Sequence, residues 1–302
     1  MRIHSLLALC AGCAATVALV VALPPADAWA WGPGVHLAMG SYLLDNISLL
    51  PVQVATVLAA HAEPFLYGAL SADIFIGKGS RFTLGHSHSW DTAFALLHAA
   101  EEERRRAFAF GYLAHLAADV VAHNYYVPNV LAAHPTRGKW SHVYVESRAD
   151  AKVEWDRALA ARLFRKRLRR SDRQLLAATG KQVLTYVIKK GVYGGSVRLV
   201  GRTAWRRLVA SADAVLPMAR ADRFLEWMLA LALAVALDCL KNPERSRARL
   251  FDPIGSRNLA LVKGMEGRVR RRDLLEAPPY APDPRLTALL DAAGFSWLPA
   301  QG

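Results

Sequence analysis

Residues 111–124 read G-Y-L-A-H-L-A-A-D-V-V-A-H-N, placing His115, Asp119 and His123 four and four apart. In an α-helix four steps overshoot one turn by only about 40°, so the three side chains leave one face, roughly 6 Å apart along the axis. Their neighbours are Leu, Ala and Val. Two imidazoles and a carboxylate buried there are costly without partners. A metal ion is one such partner; a hydrogen-bonded network inside a bundle, with Asp119 accepting from both histidines, is the other.

Further groups of the same chemistry lie nearby. His142-Val-Tyr-Val-Glu146 repeats the i, i+4 spacing. Gly85-His86-Ser87-His88-Ser89-Trp90-Asp91 puts two histidines in a loop before a helix that Asp91 is placed to cap. Trp31-Gly-Pro-Gly-Val-His36 sets a histidine at a helix start after a glycine-rich turn. Asp73 stands between apolar runs, as a helix-end cap or a functional carboxylate. No histidine occurs beyond His142.

Helices must carry these groups. Strand alternation is sparse, Asn-Gly turns are absent, and apolar residues recur at three and four. The pattern predicts helices near 35–47, 51–61, 91–104, 106–126, 141–168, 172–190, 203–217 and 221–240, an all-α chain. Breaks fall at Pro51, Pro64, Gly77–Gly85, Pro128–Gly138, Gly191–Gly195 and Pro243. Phe224–Leu237 is nearly all apolar but only fourteen residues long and bounded by Arg223 and Asp238, which reads as a buried helix. Beyond Pro253 a proline-containing tail with a short helix near 285–293 is expected.

The 302 residues are 53% hydrophobic and 21% charged, which excludes low-complexity disorder. The net charge of +13 is concentrated: residues 162–210 hold fourteen Lys or Arg against one acid, Asp172. Three cysteines, Cys10, Cys13 and Cys239, exclude a disulfide scaffold. Arg2, the apolar run Leu6–Leu23, Pro24-Pro25 and A-D-A-W-A-W have the layout of a secretory signal peptide. Cleavage after Ala28 or Ala30 leaves a terminal tryptophan and removes two cysteines. An uncleaved membrane anchor is the alternative, and a lipoprotein cut before Cys13 is a third. The organisation expected is a leader at 1–30, a helical domain at 31–250 and an extension at 251–302.

Trp31, His36, Asp73, His88, His115, Asp119, His123, His142 and Glu146, taken in that order, resemble the zinc-dependent phospholipase C family of bacteria. The resemblance covers residues 31 to about 150. It implies an all-helical fold with about three zinc ions in a cleft. By that likeness Trp31 binds through its terminal amino nitrogen and carbonyl oxygen, and His36 shares that zinc. Asp119 bridges two ions, His88 and His115 complete one site, and His123, His142 and Glu146 form the other. Asp73 is then the catalytic base or water-orienting carboxylate. His88 is preferred to His86 because His88-Ser-Trp-Asp91 resembles a family run. The better-known secreted members place the histidine after the bridging aspartate six residues on, so His134 is the fallback for His123.

The resemblance implies a secreted or periplasmic hydrolase that cuts phospholipid head groups, releasing a diacylglycerol and a phosphorylated head group. A secreted zinc nuclease is the alternative, because the family of single-strand-preferring nucleases shares the W-G-x-x-G-H start. A third reading is a non-catalytic, zinc-stabilised helical module on an anionic surface. Its contacts would be Arg165, Lys166, Arg167, Arg169 and Arg170, either on lipid head groups or on nucleic-acid phosphates. A solvated helix face explains the same run. No protein partner is expected.

Overall fold

Residues 31–75, 86–133, 139–165, 169–200, 222–262 and 274–293 are described by a computed structural model. Thirteen α-helices and no strands occur among them. The leader, the predicted helix 203–217, His134, Lys166 and Arg167 lie outside the described residues.

Helix α1 (Pro33–Asp45) opens the fold, with proline at its first position. Helices α2 (Val52–Ala60) and α3 (Ala62–Ser71) follow, and α3 runs into a 3₁₀ turn, Ala72–Ile74. Helix α4 (Trp90–His98) leads to α5 (Glu103–Val121), which continues through a π-helical turn, Ala122–Tyr126, into α6 (Val127–Ala133). Then come α7 (Lys139–Lys152), α8 (Arg157–Leu163), α9 (Arg170–Thr179), α10 (Val183–Val200) and α11 (Asp222–Lys241). Helices α12 (Ser256–Val262) and α13 (Pro284–Ala293) close the described chain.

Helix α5 is the axis of the molecule. It is buried throughout from Ala107 to Val121 and apolar there on every side but the one that carries His115 and Asp119. Helix α3 lies on one side, so close that a Cβ on Gly68 would stand 2.1 Å from the Phe108 carbonyl oxygen. A Cβ on Gly111 would stand 1.9 Å from that of Phe65. Glycine is required at both because backbone meets backbone. Helix α11 packs on another side of α5, and α13 packs on α11. Cys239 is buried there, and burial pushes its thiol up to about 12, leaving it unreactive.

Five breaks differ from expectation. Pro64 is the third residue of α3, a first-turn position where a missing N–H costs nothing, whereas Pro128 follows the π turn inside a continuous helical run, near the Asn124 carbonyl that accepts from the Asn258 side chain. Gly180, with φ of 63°, ends α9 instead. Gly191 and Gly195 sit inside α10. The expected helix 141–168 is divided into α7 and α8, and Asp156 caps α8 by accepting from the Leu159 N–H at 2.8 Å.

Candidate metal centre

Three backbone devices aim the side chains. Helix α3 ends in the 3₁₀ turn that carries Asp73, and its Ala69 carbonyl accepts from His115 Nδ1 at 2.8 Å. With Nδ1 donating there, the His115 ring turns its Nε2 inward. The 86–89 loop is pinned by Tyr112, whose hydroxyl donates to the Ser87 carbonyl. Within the loop the His88 N–H donates to His86 Nδ1 at 3.0 Å, and Thr92 Oγ1 donates to the His86 carbonyl at 2.8 Å. His86 therefore braces the loop while His88 points to the carboxylates. Ser89, not Asp91, caps α4, accepting from the Thr92 N–H. The π turn widens the helix at His123, and such turns recur at functional sites.

His88 Nε2 lies 3.2 Å from Asp73 Oδ1 and 3.3 Å from Asp119 Oδ2. His115 Nε2 lies 3.2 Å from Asp119 Oδ2, 3.1 Å from His88 Nε2 and 3.8 Å from Asp73 Oδ1. All four groups are buried, and their ligand atoms lie within 4.8 Å of one another. A tetrahedron with metal bonds of about 2.0–2.1 Å has edges of about 3.3 Å. The three distances among His88, His115 and Asp119, 3.1–3.3 Å, match that figure, so these residues fit three positions of a zinc ion, and Asp73 Oδ1 stands beside the fourth.

The second oxygen of Asp119 faces elsewhere. Oδ1 stands 3.3 Å from His36 Nε2, and neither atom makes a hydrogen bond among the described residues. Two buried polar atoms facing each other in this way call for a shared cation. His123 Nε2 is 3.8 Å from Asp119 Oδ2. The His36 and His115 rings stack with centroids 3.8 Å apart. Burial, and then His115, lowers the pKa of His36 and keeps it neutral, the form that ligates. For Asp119 burial is the largest influence and pushes upward. His115, His36 and His88 together outweigh it and hold the carboxyl well below the usual range.

Trp31 is fully buried, stacks on Tyr126 at 4.8 Å and donates its indole N–H to the Ala118 carbonyl at 3.0 Å. It thus anchors the start of the domain against α5. His142 and Glu146 occupy α7, but their side chains lie outside the described ones. Of the expected anionic-surface contacts, Arg165 and Arg170 are exposed. Arg169 is committed to the fold: its guanidinium bonds Glu63 and the Arg162 carbonyl and lies over the Tyr67 ring.

Sequence reasoning missed Asp150. From α7 it accepts from the Gly34 and Val35 N–H groups at 3.0 and 2.9 Å, capping α1 across 116 residues. A Cβ on Gly32 would stand 2.3 Å from its carboxylate. The Gly-Pro-Gly run was the visible sign of that approach. It also missed a buried network in which Tyr67, Tyr186 (2.6 Å) and Lys190 (2.7 Å) bond Asp172. Gly255 was missed as well; with φ of 61° it lies against the His123 backbone, where a Cβ would come within 2.3 Å of the carbonyl oxygen.

Fold and site define a class: an all-α protein with a buried carboxylate–imidazole centre suited to a divalent metal. The model of the zinc-dependent phospholipase C family matches residues 35–187, half of the chain, and the chain belongs to that family. Comparison with curated proteins and with solved structures gives no match.

Proposed function

We propose that this protein is a zinc-dependent hydrolase that cleaves the phosphodiester bond of phospholipids on the diacylglycerol side. The observation that carries this reading is the division of Asp119. One oxygen faces His36, and the other faces His88 and His115. That is the disposition of a carboxylate bridging two ions. Two close metals suit in-line displacement at phosphorus.

In this reading His88, His115 and Asp119 hold one ion. His36 and a Trp31 terminus freed by cleavage at Ala30-Trp31 hold a second, shared through Asp119. His123, His142 and Glu146 hold a third. Zinc held by these residues would supply a water acidified towards neutral pH and a positive charge for the phosphoryl oxygens. The Ala69 carbonyl fixes the His115 tautomer, and Trp31 and Tyr126 exclude solvent behind the site. Asp73 Oδ1 orients the attacking water and takes its proton, from a position 3.2 Å from His88 Nε2. Export to the periplasm or medium supplies the cleaved terminus.

The test is elemental mass spectrometry and intact mass on protein purified from an exporting host, with assays on phosphatidylcholine vesicles and single-stranded DNA. We expect about three zinc ions on a chain starting at Trp31, with diacylglycerol and phosphocholine released. Asp73→Asn should keep its zinc and lose turnover. A chain that takes up no zinc on resupply would sink the proposal, and cleavage of DNA alone would replace it with the nuclease reading.

A further inference from the structure

Helix α10 has two unlike faces. Its inner face buries Tyr186, Lys190, Tyr193, Gly194 and Val197. Tyr186 and Lys190 bond Asp172, and the Tyr186 ring lies 5.4 Å from that of Phe75, two residues beyond Asp73. The inner face is therefore seated against the turn that carries a site carboxylate.

The outer face is apolar and bare. Leu184, Ile188 and Val192 recur every four residues and are 72%, 59% and 40% exposed. With Val183 they make up half of the strongly exposed large aliphatic side chains among the described residues. Gly191 and Gly195 share this face. A Cβ on either would meet nothing within 4 Å among the described residues, so packing there does not require them. A glycine inside a helix costs about 1 kcal/mol against alanine, and here the fold offers no reason for it. The helix has no Asp or Glu, and the exposed cations Lys181 and Arg198 bracket the stripe. No described helix is long and apolar enough to cross a membrane. An apolar stripe with basic flanks and too little length to span suits a helix lying in the plane of a bilayer surface.

We propose that α10 is a membrane-interface helix. Leu184, Ile188 and Val192 enter the acyl boundary of a phospholipid surface, and Lys181 and Arg198 meet its phosphates. The lost glycine side chains let the surface approach closely between them. A bilayer is favoured over a protein partner because the cations have no acid on their own helix to answer them, and anionic head groups supply one. Hydrolysis is not required, so the inference stands or falls apart from the proposed activity.

The experiment is co-sedimentation of the zinc-loaded protein with vesicles of phosphatidylcholine and phosphatidylglycerol analogues carrying a non-scissile phosphonate link. Leu184→Ser with Ile188→Ser should bind roughly tenfold more weakly per substituted side chain, with unchanged zinc per chain and helix content. Val52→Ser, which removes an equally exposed aliphatic elsewhere, should bind as the parent does. Parent protein that does not sediment with vesicles overturns the proposal, as does a double variant that binds unchanged. A parent dimer by light scattering that the double variant breaks, with vesicle binding intact, would assign the stripe to a second copy instead. Vesicle binding without phosphodiester cleavage would overturn the hydrolase reading and leave this one standing.

Discussion

Asp119 and Asp150 are both buried carboxylates, and their surroundings send them in opposite directions. Four imidazoles lie within 3.8 Å of Asp119, and it stays ionised. Asp150 faces two backbone N–H groups, which are too little to offset burial, and its carboxyl is pushed up to about 7. The sign of the consequence is definite. A folded pKa of about 7 lies above the ordinary aspartate value of 3.8, so the folded chain holds the proton more tightly. That stabilisation is complete below about pH 4 and is lost as pH rises through 7. Denaturant titrations of the zinc-free chain between pH 4 and 8 should show stability falling by on the order of 2–4 kcal/mol. Asp150→Asn should flatten the slope; an unchanged slope would clear Asp150 of the effect.

At the scale of elements, the decisive contact is α3 against α5. Gly111→Ala should cost about 3 kcal/mol, because the added methyl meets the Phe65 carbonyl, which cannot step aside. Zinc affinity should fall with it, since separating the helices lengthens the bond from His115 to Ala69. Denaturation and zinc titration on one sample would check both, and a variant with parental stability would show that the helices can part. Much of this was legible beforehand. The i, i+4 spacing of His115, Asp119 and His123 does converge, although His123 reaches the centre from a π turn and not from a continuous α-helix. Periodicity located α5 and α11 because their apolar pattern is long. Pro64 read as a break because its position within a first turn depends on where the helix begins, and Pro128 because a π turn lets the helix run on past it; local composition reveals neither. The Gly-Pro-Gly run marked a close approach but not its partner, Asp150, and Gly255 gave no sign of His123, because each pair is separated by more than a hundred residues.

For the whole molecule, the centre gathers α1, α3, the 86–89 loop, α5 and the π turn, so bound metal cross-links the N-terminal half. Chelation should lower the melting temperature by roughly 10 °C, taking zinc a thousandfold above its dissociation constant. Scanning calorimetry with and without a chelator would test this. An unchanged melting point, or one that zinc fails to restore, would count against a structural role for the ion. The C-terminal extension belongs to the same unit: the Asn258 side chain donates to the Asn124 carbonyl at 2.7 Å, and the Asn124 side chain donates to the Asp252 carbonyl at 2.8 Å. These bonds clasp the π turn that presents His123. A ribosome therefore completes the last candidate ligand, Glu146, about a hundred residues before it completes the clasp. Until residue 258 has been made, the nascent chain holds its ligands without the strut that aims one of them. A fragment stopped near residue 250 would therefore carry the candidate ligands without their finished geometry.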